Sequence, residues 1–506
     1  MNKAKSIMIQ GTASSVGKSL LVTALCRIFT MDGFQVAPFK SQNMALNSFV
    51  TIEGGEIGRA QAVQAEACGI EPSVVMNPIL LKPSSDMGSQ VIIRGKVYRN
   101  MTAEEYQKFK PDLRRIVESA YEELASRYDI VVIEGAGSPA EINLKDNDIV
   151  NMGMAEIADC PVLLVGDIDK GGVFASIVGT MLLLEHKERK RVKGIIINKF
   201  RGDVEILRPG LGMLERMVRR PVLGVVPYMN IHIDEEDGAT EYLKVSKEDG
   251  DIDIAIIYLP HLSNFTDFEP LYHIDGIKIR YVYDVNSLGN PDLVILPGTK
   301  NTIGDLLYLK YTKIADRIVK YAREGGLVLG ICGGFQMLGK RIIDPYRIES
   351  EIMEIEGLNL LDLSTVIEKE KVTTNTLIQL EEASSILSSN MPRSILKGYE
   401  IHMGRTENTG DTIPFSRVIM RGDLRCNDID GYISSDGRAW GTYLHGIFDN
   451  EDFLRALVSF LYKRKNIERD VYIKPLEDTK MFLYNELAMV VRKALDIDTV
   501  YRIMGF

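Results

Sequence analysis

Hydrophobic and polar positions along the chain fall into two long series. In the first, short apolar segments at Ser6–Gln10, Asp129–Glu134, Pro161–Asp167, Gly194–Asn198 and Val222–Val226 are separated by longer stretches of helical character. That alternation predicts a mostly parallel sheet with flanking helices. Around Asn230–Asp253 the pattern gives way to a polar, acidic stretch (Asp234, Glu235, Glu236, Asp237, Gly238), which predicts a linker. A second α/β series follows at Ile252–Leu259, Ile277–Tyr283, Leu293–Leu296 and Leu327–Ile331, and Ile303–Arg323 carries apolar residues at helical spacing. Beyond Asp449 the chain reads as helical, with Phe453, Leu454, Leu457, Phe460 and Leu461 on one face. The expected organisation is a first α/β domain at 1–230, a linker at 231–250, a second α/β domain at 251–450 and a helical C-terminal tail at 451–506.

Composition narrows the classes. A chain of 506 residues, 45% hydrophobic and 26% charged, is long enough for two or more globular domains. No apolar run reaches the roughly 18 residues a membrane-spanning helix needs. The apolar stretch after Lys3 and Lys5 ends by Gln10, too short for a signal-peptide core, so a cytoplasmic protein with no membrane partner is expected. With 60 basic against 70 acidic residues there is no whole-chain basic footprint for nucleic acid, whereas an anionic small molecule needs only a local basic pocket. The five cysteines are scattered without a CxxC pair, which argues against a disulfide framework or a structural zinc site.

Two motifs carry chemistry. The strand Ser6–Gln10 runs into Gly11-Thr12-Ala13-Ser14-Ser15-Val16-Gly17-Lys18-Ser19 and then a helix. Backbone N–H groups of such a loop, with the helix N-terminus, suit a polyphosphate; Lys18 would reach the outer phosphates and the Ser19 hydroxyl would sit on Mg²⁺. Thr12 stands where the usual loop begins with glycine. The form Gly-Thr-x5-Gly-Lys-Ser resembles the dethiobiotin synthetase branch of P-loop proteins, which activate carboxylates. That resemblance implies an ATP cradle including Thr12, Gly17, Lys18 and Ser19, with Glu134 of Ile133-Glu134-Gly135 as a second Mg²⁺ contact. It further implies Lys40 on the transferring phosphate and Asn198 at the adenine. Asp167 and Asp169, in Gly166–Gly172, have two readings: positioning Mg²⁺ or substrate, or capping the next helix. Gly58-Arg59-Ala60-Gln61 and Leu81–Asp86 offer basic and amide groups to an anion, although a solvated surface explains each alone.

The second motif is Leu327–Ile331 followed by Cys332-Gly333-Gly334-Phe335, a strand, a Gly-x-Cys-x-Gly elbow and a helix start. Small flanking residues allow the sharp turn that exposes a nucleophile, and a helix N-terminus favours a thiolate at Cys332. A thiolate needs a proton carrier; His445, in Gly441–Phe448, has the best setting, and His402 is its rival. The order of Cys332 and His445 resembles class I glutamine amidotransferases, which release ammonia from glutamine. Those enzymes keep a glutamate two residues after the histidine, where this chain has Ile447. Glu400 or Asp449 would substitute, or a dyad suffices. The strand ending at Gly298 is suited to supply an oxyanion-hole N–H beside that of Gly333.

Taken together, Pro38–Met44, Gly58–Gln61, Gly166–Phe174 and Gly398–Gly404 resemble the cobyric acid synthase family, from Lys5 to about Asp449. The resemblance implies a P-loop domain joined to a class I glutamine amidotransferase-like domain, with ATP and Mg²⁺ as cofactors. It implies amidation of carboxylates b, d, e and g of adenosylcobyrinic acid a,c-diamide, with L-glutamine as nitrogen donor and one ATP per round. Three other readings have the same parts: a cobyrinic acid a,c-diamide synthase, which the Gln42-Asn43 and Gly398–Thr406 segments disfavour; a CTP synthase, whose glutaminase normally keeps the glutamate after the histidine that Ile447 replaces here; and an ATP switch with a non-catalytic glutaminase-like domain, which Cys332 and His445 disfavour.

Overall fold

The computed structural model describes residues 4–85, 88–229, 247, 249–381 and 394–506. The acidic segment 234–238 expected in the linker, and Asp86, lie outside the described residues. The chain divides into two compact units. One comprises Met1–Ala45, Gly55–Gly238 and Glu477–Phe506; the other comprises Leu46–Gly54 and Ala239–Leu476.

The first unit is built on a six-stranded sheet with the spatial order Val222–Pro227, Val192–Phe200, Val162–Asp167, Lys5–Gly11, Ile130–Glu134, Val36–Phe39. All its pairings are parallel. Parallel strands need crossover connections, and here helices supply them, so both sheet faces are covered. Alternate residues of one strand therefore enter different cores. Met8 joins Val131, Ile133 and Leu164 beneath Leu113, Val117 and Tyr121 of the helix Ala103–Ala125. Ile7 and Ile9 join Val132 and Val165 beneath Leu21 and Leu25 of the helix Lys18–Met31. The same second core takes Leu487 and Val491 from the helix Leu476–Ala494, and Val500 from Ile497–Met504. A small four-stranded sheet, Gln42–Met44, Ile79–Ser85, Gly88–Ile93 and Lys96–Thr102, completes the unit.

In the second unit five parallel strands, in the order Ile277–Val282, Ile252–Ile257, Leu293–Leu296, Val328–Ile331 and Ala439–Thr442, form one end of an eleven-stranded sheet. Beyond Ala439–Thr442 the sheet turns antiparallel through Leu424–Ile433, Ile413–Arg421 and the 18-residue strand Leu363–Leu380, which also pairs with Ile395–Asn408. These long ribbons were not among the segments predicted from the apolar pattern. Their alternate residues are partly exposed, so no continuous apolar run marks them. The helix Glu451–Arg464 buries Phe453, Leu454, Leu457 and Leu461, with Phe460 half-buried, in this unit's core. No described helix is long and apolar enough to cross a membrane.

Candidate active site

The chain presents two reactive centres, one in each unit. In the first, the strand Lys5–Gly11 ends at the loop leading to the helix Lys18–Met31. Gly17 stands at φ +90°, in the left-handed region, and a Cβ there would lie 2.2 Å from the Asn198 Nδ2. Glycine is thus required both for the turn and for the neighbour. The Lys18 ammonium donates to the carbonyls of Ala13 (3.0 Å) and Gly137 (3.2 Å), which folds the side chain back over the loop. Thr12 is anchored by its N–H to Val165 O.

Glu134, at the C-terminal end of Ile130–Glu134 and 1% exposed, is the hub of this centre. Its Oε1 accepts from Ser19 Oγ and from Lys40 Nζ, each at 2.9 Å, and its Oε2 accepts from Gln64 Nε2 at 2.5 Å. A carboxylate this deeply buried needs such partners, because an unpaired charge away from water is costly. The sequence reading placed Ser19, Lys40 and Glu134 here. It missed Gln64, which lies on the helix Arg59–Cys68 with nothing in its spacing to single it out. Asn198 donates its Nδ2 to Val16 O at 2.8 Å, so its amide braces the loop. Lys199 likewise donates to Ser15 O at 2.8 Å.

Asp167 accepts from the Asp169 N–H at 2.8 Å and pairs with Lys199 at 3.5 Å, and Asp169 pairs with Arg201 at 2.9 Å. Neither caps the helix Val173–Leu183, whose N-cap is Gly172 without a side-chain cap. The solvated-surface reading of the Arg59 and Lys82 segments is also corrected. Gln61 is fully buried and accepts from Asn43 Nδ2 at 2.8 Å, while Lys82 is buried against Glu56 at 2.7 Å. Apolar neighbours alone would not hold these polar groups inside; their mutual hydrogen bonds do.

The second centre is at the end of Val328–Ile331. Cys332 adopts φ +52°, ψ −108° and caps the helix Gly333–Leu338. A non-glycine residue in that region carries about 1–3 kcal/mol of strain, which surrounding packing must hold. The packing is close: a Cβ on Gly334 would lie 2.0 Å from Leu296 O. The Cys332 N–H donates to Thr442 O at 2.8 Å, tying the elbow to the strand that leads to His445.

His445 is 1% exposed, and its Nδ1 faces Asp267 Oδ2 at 2.6 Å. Burial pushes the imidazole down, but the Asp267 carboxylate and then the Cys332 sulfur outweigh it, raising His445 to about 10. The other Asp267 oxygen accepts from the Gly446 N–H at 3.0 Å, so one carboxylate fixes both the ring and the backbone beside it. Asp267 therefore occupies the place of the group expected two residues after the histidine. It comes from the one-turn helix Phe265–Phe268, entered through Asn264 at φ +53°. A partner 178 residues away in sequence leaves no spacing to read.

Glu400, another acidic candidate for that place, is engaged elsewhere. Glu400 binds Arg421 at 2.7 Å and Thr376 at 2.9 Å, and His402 approaches it at 3.4 Å. Against the upward push of burial, the His402 and Arg421 contacts hold its carboxyl down at about 2. Asp449 lies in the turn Ile447–Asp449, where its N–H donates to Gly446 O at 3.1 Å. The rival base His402 is tied to Gly404 O at 2.9 Å and stacks on Tyr443 at 3.9 Å. Gly298 lies against His445, since a Cβ there would be 2.9 Å from His445 Cε1. Gly333 begins its helix, so its N–H has no intrahelical acceptor.

Two known families match successive parts of the chain. Residues 7–238 match the family described as the CobQ/CobB/MinD/ParA nucleotide binding domain, and residues 253–453 match the CobB/CobQ-like glutamine amidotransferase domain. The cobyric acid synthase of Thermoanaerobacter sp. (strain X514) is 58% identical over 99% of each chain. That of Caldanaerobacter subterraneus subsp. tengcongensis is 57% identical over 99% of each, and that of Clostridium novyi (strain NT) is 54% identical over 99% of this chain and 98% of its own. A nucleotide-binding P-loop unit joined to a Cys–His glutaminase unit defines a glutamine-dependent amidoligase. Within that class the chain belongs to the cobyric acid synthase family.

Proposed function

We propose that this chain amidates the b, d, e and g side-chain carboxylates of adenosylcobyrinic acid a,c-diamide in cobalamin biosynthesis, using ATP and L-glutamine in the cytoplasm. The observation that supports the reading is that one chain holds both a phosphate-loop type turn, with Ser19 and Lys40 on the buried Glu134, and Cys332 and a buried His445–Asp267 pair.

A carboxylate is a poor acyl donor until one oxygen becomes a leaving group. Transfer of the γ-phosphoryl group from ATP onto a substrate carboxylate makes an acyl phosphate and ADP. Lys18 and Lys40 neutralise charge on the transferring group, and the loop N–H groups hold the polyphosphate. Ser19 Oγ and Glu134 Oε1, 2.9 Å apart, are adjacent hard-oxygen donors that fit Mg²⁺ with phosphate and water completing its shell. Bound there, the ion would supply charge neutralisation. Thr12 and Gly17 shape the loop, and Asn198, whose amide holds Val16 O, would contact the adenine.

In the glutaminase unit the Cys332 sulfur attacks the glutamine amide carbon, and His445 passes a proton to the departing ammonia. Asp267 keeps the imidazole oriented and stabilises its charged form. The N–H groups of Gly298 and Gly333 receive the developing oxyanion. Water then releases glutamate, while ammonia displaces phosphate from the acyl phosphate to give the amide.

The test is mass spectrometry of adenosylcobyrinic acid a,c-diamide incubated with the protein, ATP, Mg²⁺ and glutamine. Four successive decreases of about one mass unit, each an OH replaced by NH₂, are expected. Amidation of cobyrinic acid instead would make the chain a diamide synthase. ATP turnover with neither substrate changed would favour the switch reading.

A further inference from the structure

A cavity of about 630 Å³ in the first unit, within the ~300–1,000 Å³ range of ligand sites, opens beside the phosphate loop. Lys18 and Lys40 line it at the phosphate end, and Gln42, Asn43, Tyr106 and Lys110 line it further along. Tyr106 donates to Gln42 Oε1 at 2.6 Å, so that part of the wall is neutral and internally satisfied.

Lys110 is different. It sits on the inward face of Ala103–Ala125 and is only 5% exposed, yet no described residue hydrogen-bonds or ion-pairs with its ammonium. Asp148 attracts it from a distance, but the two Asp148 oxygens already accept from the N–H groups of Val150, Asn151 and Gly153. Lys145, the other lysine on the wall, is spent on Glu188 at 2.6 Å. Burial disfavours the charged form of Lys110. The ammonium opens onto the cavity rather than onto protein, and a partly desolvated cation without a partner among the described residues suits an anion supplied from outside.

We infer that Lys110 is the counter-ion of the acceptor carboxylate, a binding residue that draws the negatively charged arm of the corrinoid into the cavity facing Lys18 and Lys40. The inference rests on the function proposed above. Two anions, the carboxylate and the nucleotide polyphosphate, must meet at bonding distance. Lys18 and Lys40 serve the phosphate; Lys110 serves the approaching carboxylate.

The experiment titrates the full-length protein with cobyrinic acid a,c-diamide in the presence of a non-hydrolysable ATP analogue, following the corrin absorbance, for wild type, Lys110→Met and Lys110→Arg. Amidation by each is measured alongside. Methionine keeps most of the stem and removes the charge. The expected Kd rise for Lys110→Met is about tenfold or more, with affinity for the ATP analogue unchanged. Lys110→Arg retains more of the affinity. Thermal stability of Lys110→Met is unchanged or higher, the opposite of what a structural lysine would show, so misfolding does not mimic the result. Unchanged corrinoid affinity in Lys110→Met, with amidation intact, overturns the inference and leaves the proposed function standing. Weakened binding in the variant without any amidation by wild type keeps Lys110 as the carboxylate's partner and overturns the proposed function. No binding by wild type overturns both.

Discussion

At the scale of residues, the glutaminase chemistry proposed for Cys332 and His445 turns on Asp267, which holds the imidazole in place. Its carboxylate, 2.6 Å from His445 Nδ1, is the first-ranking influence lifting the imidazole against the cost of burial. Asp267→Asn is expected to lower glutamine-dependent amidation by about 10²-fold or more, with ammonia-dependent amidation retained, as steady-state rates with either nitrogen source will show. Cys332→Ser should abolish the glutamine-dependent rate and likewise spare the ammonia-dependent one, because only the nitrogen source is lost. The same pair makes stability depend on pH. A histidine raised from 6.5 to about 10 contributes stabilisation fully below pH 6.5, and that contribution fades as pH climbs through 10. The melting-temperature gap between wild type and Asp267→Asn should therefore be widest near pH 6 and close towards pH 10, in paired thermal melts.

At the scale of elements, each reactive group sits where a strand ends and its chain must turn sharply. Gly17 and Cys332 both take positive φ, one without strain and one with it. The cysteine elbow holds because Gly334 lets the helix Gly333–Leu338 approach the strand Leu293–Leu296. Gly334→Ala would place its Cβ 2.0 Å from Leu296 O, so backbone has to move. Displacing a nucleophile by about 1 Å costs on the order of 10²-fold, and glutaminase kcat should fall accordingly. Much of this was legible: strand, elbow and helix at Cys332, and strand, loop and helix at Lys18, follow from local pattern and glycine placement. The antiparallel ribbons Leu363–Leu380 and Ile395–Asn408 were not, because half-exposed strands lack a continuous apolar signal.

At the scale of the whole molecule, sequence order and structural membership part company. Leu46–Gly54 belongs with the glutaminase unit, and Glu477–Phe506 belongs with the P-loop unit. Leu487, fully buried, packs in the same core as Leu21, Leu25 and Ile9. Leu487→Ala should cost about 2–5 kcal/mol through lost burial and the cavity left behind. That loss is checked by denaturant unfolding followed through nucleotide binding. The C-terminal helices thereby support phosphate chemistry that lies some 460 residues earlier in the chain.

The α/β class of both units, the strand–loop–helix at Lys18 and the strand–elbow–helix at Cys332 could be read from the chain alone, because each rests on short-range pattern. Local periodicity sets strand and helix, and a turn that needs glycine shows one. What stands behind His445, what surrounds Glu134 and the lack of a partner for Lys110 among the described residues came from packing in three dimensions. Those answers depend on side chains such as Asp267 and Gln64, brought in from distant elements. A buried charge is balanced by whichever groups packing delivers, and packing leaves no spacing in the chain to be read.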